Sequence, residues 1–248
     1  FIPYGAYWST PFVRWQGSFG HRHALELAGE IGRRALAERD ISPKMLDSLV
    51  LGMTVPQKHS FYGAPWLAAL CGAPGITGPW IGQACATSAK CVATAAREIE
   101  CDESSATLVI TADRCSNGLH IYYPNPLTPG GRGETEEWVW DNFNYDPWAG
   151  QPMIQTAENV AAEEGITRGE CDELTLLRYG QYQKALEDNR RFQKKYMVAP
   201  IEIKDPGGRK TLATVEGDEG VFPTTREGLA KLKPVVKDGV VTFGTQTY

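Results

Sequence analysis

Short apolar runs alternate along this chain with longer stretches whose apolar residues recur every three or four positions. That alternation places the chain in the α/β class, with a layered sheet flanked by helices. Residues 24–39 carry Leu25, Ala28, Ile31, Ala35 and Leu36 on one stripe with charges opposite, the signature of an amphipathic helix. Ser42-Pro43 reads as an N-cap followed by a first-turn proline. Residues 48–53 form a compact apolar run, expected as a buried strand. Residues 65–71 look helical, and a Gly/Pro-rich stretch leads to another short strand before Cys85. Residues 107–111 (Thr-Leu-Val-Ile-Thr) are expected as a further buried strand, and residues 2–8 as a short strand or extended segment.

The second half changes character. Residues 117–150 are rich in Pro, Gly, acidic and aromatic residues and show no clean periodicity. A helix is expected over 156–164. Thr167 with Glu170 three residues on fits a capping box, which starts a helix running to about Ala185. Residues 200–220 read as extended and turn-rich. A short helix follows Thr225, and 240–243 reads as a strand.

One octapeptide carries chemistry: Gln83-Ala84-Cys85-Ala86-Thr87-Ser88-Ala89-Lys90. Ala89, Val92, Ala93, Ala96 and Ile99 then recur at helical spacing, while Gly82 and Pro79-Trp80 read as a break upstream. Cys85 is therefore expected at a helix start, where unpaired N–H groups and the helix dipole favour a thiolate. Small neighbours leave room for a substrate. A small cysteine packing a helix start fits the same pattern, because free cysteine is among the most buried residue types.

Composition excludes several classes. With 248 residues, 42% hydrophobic and 22% charged, the chain has an ordinary globular balance rather than that of a disordered one. A net charge of −5 offers no basic footprint for nucleic acid. No apolar run approaches membrane-spanning length. No basic-then-apolar leader follows Phe1, so no signal peptide is expected, and the lack of an initiator Met points to processing or an incomplete start. The six cysteines include no Cys-x-x-Cys pair, so no metal site is expected. A disulfide framework is not expected either, which makes the reducing cytoplasm the simplest location.

Four stretches, in order, resemble the thiolase family of acyl-CoA acyltransferases. Ser9-Thr10-Pro11-Phe12 with Gly17-Ser18 is similar to the family's N-terminal segment. Cys85-Ala86-Thr87-Ser88 is similar to the nucleophile segment, usually Cys-x-Ser-Gly. Met153 with Thr156-Ala157-Glu158-Asn159-Val160-Ala161 resembles the Met-Gly-x-Thr-Ala-Glu-Asn-Val-Ala run. Leu229-Ala230-Lys231-Leu232-Lys233-Pro234 with Asp238-Gly239-Val240-Val241-Thr242-Phe243-Gly244 resembles the Leu-Lys-Pro segment and the Gly-rich run after it. Two departures stand out: Ser88 replaces a glycine, and Thr245-Gln246-Thr247-Tyr248 replaces Asn-Ala-Ser-Gly.

The resemblance implies a thiolase-like layered α/β fold. Residues 1–116 and 222–248 would form the N-terminal core, and 117–221 an inserted loop region for coenzyme A and subunit contacts. It implies acyl-CoA and β-oxidation-type chemistry. The Cys85 thiolate would attack the 3-keto carbonyl, and CoA, a co-substrate rather than a bound cofactor, would take the acyl group. Met153, Phe243, Gly244 and Thr247 would border the pantetheine arm. The family's histidine and second, acid/base cysteine come from a C-terminal half that is not placed in this chain. A homodimer or tetramer is implied. A ketoacyl-synthase-type condensing enzyme and a non-catalytic thiolase-like subunit are the alternatives.

Further clusters keep two readings each. Residues 189–196, with Arg190 and Arg191, fit either a solvated helix face or a contact to CoA phosphates. The aromatic residues from Tyr122 to Trp148 fit either a lid or subunit contact, or the wall of a pocket for a bulky acyl group. Thiolases of aromatic degradation, such as benzoylsuccinyl-CoA thiolase, would suit such a wall. Some of these pair with a small zinc-ribbon/OB-fold subunit. His21 and His23 read as capping or surface residues, Lys90 as solvated, and Asp113-Arg114 as a surface ion pair.

Overall fold

The computed structural model describes residues 1–245. The chain divides by contact into two compact units. The first joins Phe1–Leu119 with Tyr196–Asp218; the second joins His120–Lys195 with the segment from Glu219 onward. This division differs from the expected one: 196–218 groups with the N-terminal segment, and the segment after 219 groups with 120–195.

In the first unit, β1 (Ser48–Gly52) lies between β2 (Trp80–Ile81) and β3 (Thr107–Thr111) in a parallel sheet of order β2-β1-β3. Alternate residues of a strand point to opposite faces. Leu49 and Leu51, with Leu108 and Ile110, pack against α1 (Ala24–Glu38) and α2 (Gly63–Cys71). Val50 faces α3 (Thr87–Glu100), packed with Cys91 and Ala95. Both faces are covered, which is why the β1 run is continuously apolar rather than alternating.

Helix α1 is buried on two sides. Leu25 and Leu36 face the sheet, while Leu27, Ile31 and Ala35 pack on the antiparallel hairpin β6 (Ile201–Lys204) and β7 (Thr211–Val215). His23 caps α1. Its Nδ1 accepts the Leu25 N–H at 3.2 Å, so the proton sits on Nε2, which donates to the Lys58 carbonyl at 2.7 Å. Ser42 accepts from the Lys44 N–H and starts a 3-10 turn at Pro43, as its sequence implies. Residues 2–8 form turns and coil instead of a strand, and Ser9 makes only an isolated bridge to Met197.

Helix α3 packs through a face other than its apolar stripe. Thr87, Cys91 and Ala95 are buried against the sheet, whereas Ala89, Val92, Ala93, Ala96 and Ile99 lie at the surface, with Val92 44% exposed. Gly52 makes the close approach possible. A Cβ there would stand 2.7 Å from Thr111 Cγ2, 2.8 Å from Cys91 Sγ and 3.0 Å from Thr87 Cγ2.

The second unit opens with an antiparallel hairpin, β4 (His120–Tyr123) and β5 (Glu134–Glu137), in the stretch without periodicity. The Tyr122 hydroxyl accepts the Gly133 N–H across it, and the Tyr123 hydroxyl donates to Glu136, which raises the Tyr123 phenol pKa. Helices α4 (Trp140–Asn144), α5 (Met153–Glu164), α6 (Arg168–Lys194) and α7 (Arg226–Ala230) follow. The Thr167–Glu170 capping box is present. Arg168 ties α6 to α7 by donating to the Leu229 and Leu232 carbonyls. The expected strand at 240–243 is absent: Thr242 makes an isolated bridge to Pro234, and a turn follows. An extended run becomes a strand only with a neighbour to pair with, and Asp238 at φ 58° turns the chain back on itself instead. Among the described residues no helix is long and apolar enough to cross a membrane.

Gly52→Ala is expected to destabilise the protein by about 1–3 kcal/mol, because the sheet cannot admit the extra atom without moving α3. Cys91→Ala in the same chain removes one of the obstructing atoms and should restore part of the loss. Urea unfolding followed by tryptophan fluorescence checks both.

Candidate active site

Cys85 occupies a 3-10 turn, Ala84–Ala86, between the end of β2 and the start of α3. It is exposed, and so reachable by a substrate. Its position is that of ligand sites in open α/β sheets, outside the carboxyl ends of parallel strands. The turn is strained. Ala84 has φ 43°, a left-handed conformation that costs an L-residue with a Cβ roughly 1–2 kcal/mol. Thr87 holds it there: its hydroxyl accepts the Gln83 N–H at 2.8 Å and donates to the Ala84 carbonyl at 2.7 Å. No side chain caps the N-terminus of α3, and its first N–H, that of Thr87, donates to the Ala84 carbonyl within the cysteine turn.

The strand ends around this turn are cross-tied. Trp80 Nε1 donates to the Met53 carbonyl at 2.9 Å, linking the ends of β2 and β1. The Asp113 carboxylate, just past β3, accepts from the Thr54 N–H, the Thr54 hydroxyl and the Val55 N–H at 2.6–2.8 Å. The expected Asp113–Arg114 ion pair is therefore replaced by two separate roles. Arg114 donates instead to the carbonyls of Arg22 and Asn117, and burial lowers its pKa.

The other thiols of the sheet layers differ in kind. Cys71 and Cys91 are buried, and burial raises both, Cys71 to about 11. A thiol in that state is protonated at neutral pH and inert as a nucleophile. All six cysteines are free. Among the described residues no group of three or more His, Cys, Asp or Glu side chains is placed to hold a metal ion.

The remaining site residues lie in the second unit. Met153 is the first residue of α5 and is partly exposed. Phe243 is exposed in the turn after Thr242. Gly244 is wedged against α7, where a Cβ would stand 2.5 Å from Leu229 Cδ2 and 2.6 Å from Leu232 Cδ1. A side chain at Gly244 would thus disturb packing directly, not only an approaching ligand. Thr247 lies outside the described residues.

Arg190 and Arg191 do not sit on a continuous helical face. Helix α6 breaks at Glu187, and Asp188, Asn189 and Arg190 all take left-handed conformations. Arg191 pairs with Asp188 at 3.3 Å across this break. Trp148 is 97% exposed at the tip of a turn in which Asp146 accepts the N–H groups of Trp148 and Ala149. Sequence reading missed Thr87 and Asp113 as supports of the strand ends and the Cys85 turn. Each acts on backbone N–H or carbonyl groups, and no residue spacing marks such partners in advance.

The Thiolase, N-terminal domain family model matches residues 6–248. The chain belongs to the thiolase family. Human mitochondrial 3-ketoacyl-CoA thiolase is 30% identical over 243 residues, covering 95% of this chain and 59% of that protein. Acetyl-CoA acetyltransferase of Pseudomonas aeruginosa is 28% identical over 249 residues, covering 60% of its length. The solved structure of human mitochondrial 3-ketoacyl-CoA thiolase in complex with CoA superposes with a TM-score of 0.79 at 27% identity, over 94% of this chain and 58% of that one. Bacillus anthracis acetyl-CoA acetyltransferase gives 0.80 at 28% identity, over 95% and 59%. The thiolase fold expected from sequence is thereby established, and the chain spans about three fifths of the length of these relatives.

The thiols should separate by accessibility. At pH 7.5 iodoacetamide should label Cys85 well before Cys71 or Cys91, as read by peptide mass mapping. The raised Cys71 thiol favours the folded state fully below the unfolded value near 9, and that contribution falls as pH rises through about 11. Urea midpoints measured across this window should decline, and Cys71→Ala should flatten the decline.

Proposed function

We propose that the protein is a thiolase-type acyltransferase that cleaves a 3-ketoacyl-CoA with free CoA through an acyl group carried on Cys85. The observation that carries this reading is the exposed Cys85, held on a strained turn at the carboxyl end of the parallel sheet by the Thr87 hydroxyl. The names of the similar proteins, 3-ketoacyl-CoA thiolase and acetyl-CoA acetyltransferase, support it.

In this chemistry the Cys85 Sγ thiolate adds to the 3-keto carbon. The bond between C2 and C3 breaks, leaving the shortened acyl group as a thioester on Cys85 and the C1–C2 unit as the enolate of acetyl-CoA, which takes a proton. The thiol of a second CoA then attacks the thioester carbonyl and the Cys85 thiolate leaves. The carbonyl oxygen becomes an oxyanion in each addition, and N–H donors preorganised beside Cys85 stabilise it. We assign the backbone N–H of Cys85 as one donor of that type. The acid that protonates the enolate is assigned to the length that the relatives possess beyond the matched region.

Residues 1–116 with 222–248 as catalytic core and 117–221 as a CoA-binding and subunit-contact insert remain our functional division. Met153, Phe243, Gly244 and Thr247 are assigned to the pantetheine arm, and Arg190 and Arg191 to the CoA phosphates. We assign selection of a bulky or aromatic acyl group to Trp148, a large ring held in water by a defined turn. An exposed ring of this size forgoes roughly 1.5–3 kcal/mol of burial, which a bound acyl group or a partner surface recovers. Assembly as a homodimer or tetramer, with or without a small zinc-ribbon/OB-fold subunit, and a cytoplasmic location complete the proposal.

Two measurements on the full-length protein test it. Incubation with a 3-ketoacyl-CoA in the absence of free CoA should leave the acyl mass on the Cys85 peptide. Cys85→Ser should lower turnover by orders of magnitude, because a serine hydroxyl is barely ionised at neutral pH. An adduct on Cys91 or Cys115 with Cys85 free refutes the assignment. Trp148→Ala should shift the kcat/KM ratio between an aryl 3-ketoacyl-CoA and acetoacetyl-CoA by about 10–200-fold. Equal losses on both substrates place Trp148 at a subunit contact instead.

A further inference from the structure

Glu158 lies within the Thr156–Ala161 run that helped to place the chain in its family, yet nothing in the acyl-transfer chemistry uses it. It is 8% exposed in the middle of α5. A carboxylate so placed is costly unless hydrogen-bonded. Its two oxygens are taken up separately: Oε2 accepts the Val240 N–H at 2.8 Å, and Oε1 accepts the Val241 N–H at 2.9 Å. Gly239 makes room for it, since a Cβ there would stand 2.4 Å from Oε1 and 2.6 Å from Cδ. The family-like sequence Asp238-Gly239-Val240-Val241 is thus shaped to receive this carboxylate: Asp238 turns the chain at φ 58°, and Gly239 leaves the gap.

The clamp continues along the chain. Val235 N–H donates to the Val241 carbonyl at 2.9 Å, closing the loop behind the turn. Thr242 is fully buried. Its N–H donates to the Thr245 hydroxyl at 2.9 Å, and its own hydroxyl accepts the Gly244 N–H at 3.2 Å. Gly244 then abuts Leu229 and Leu232 at α7. The segment carrying Phe243 and Gly244 is therefore held from two sides, by Glu158 on α5 and by Leu229 of α7 with Leu232 just beyond it. Helix α5 is also the helix that Met153 opens.

We propose that Glu158 is a positioning residue for coenzyme A binding: it ties the helix bearing Met153 to the segment bearing Phe243 and Gly244, and so sets the geometry of the pantetheine contacts. This inference rests on the assignment of those residues to the pantetheine arm. A carboxylate is required because both partners are N–H donors. An amide offers one oxygen acceptor and turns an NH₂ toward the other N–H.

The test uses the full-length protein. Glu158→Gln should raise KM for CoA about tenfold, as expected for loss of one charge-assisted bond, with less than a twofold change in kcat. The rate of Cys85 alkylation by iodoacetamide should stay unchanged. Glu158→Ala should raise KM further. A folded Glu158→Gln protein with unaltered KM, or one in which kcat and Cys85 alkylation fall together with KM constant, overturns the proposal. Amide exchange on the wild type tests it without a variant: CoA should slow exchange at residues 240–244, and no slowing there overturns it. A wild type that neither binds CoA nor transfers acyl groups refutes the underlying function. One that does both, with no effect of Glu158→Gln, refutes only the clamp.

Discussion

The first unit depends on the double covering of β1. One strand of five residues buries Leu49 and Leu51 on one side and Val50 on the other, so each flanking helix is aligned against the same backbone. The contact with α3 is the tighter constraint, because the missing side chain of Gly52 is filled by Thr87, Cys91 and Thr111. Thr87 belongs both to this contact and to the turn of Cys85, since its methyl faces Gly52 and its hydroxyl holds Gln83 and Ala84. Packing at the sheet and the pose of the Cys85 turn therefore share one residue. Close-packed interiors transmit such coupling because they have little free volume to absorb it.

Both units use the same device to shape irregular chain. A carboxylate accepts two or more backbone N–H groups from a loop distant in sequence, as Asp113 does for Thr54 and Val55, and Glu158 for Val240 and Val241. Such bonds are charge-assisted and stronger than neutral ones. They also satisfy donors that neither sheet nor helix can satisfy, which is the requirement for bringing loop backbone close to packed structure. Thr167 and Glu170 do the equivalent at the start of α6, but within four residues, which is why that arrangement alone was visible as a motif.

Among the described residues, exposed apolar side chains include two groups. The stripe of α3, from Ala89 to Ile99, faces away from the sheet, and Trp140, Phe143, Tyr145 and Trp148 lie exposed in the second unit. Helices that are apolar on more than one face are buried on more than one face in complete assemblies. The matched relatives are longer than this chain, and a cover for the α3 stripe is consistent with that length.

The sequence by itself determined the class of fold, the starts of α1 and α6 and the central strands, while α5 begins at Met153, three residues before its expected start. The correctly read features are written in local chemistry: periodicity for α1 and β1, a proline after Ser42 and a capping box at Thr167. Local chemistry could not decide which face of α3 would be buried, because both faces carry small or apolar residues and only the fit of Thr87, Cys91 and Ala95 to Gly52 and the sheet selects one. It could not reveal the β4–β5 hairpin, whose stability comes from cross-strand pairs such as Tyr123 with Glu136. It mistook 240–243 for a strand, because a strand needs a neighbour paired along its length, and here a single bridge joins Thr242 to Pro234 while the Val240 and Val241 N–H groups go to the Glu158 carboxylate. The tertiary structure decided these points, since a hydrogen bond or a steric fit between residues eighty positions apart leaves no trace in the spacing of either.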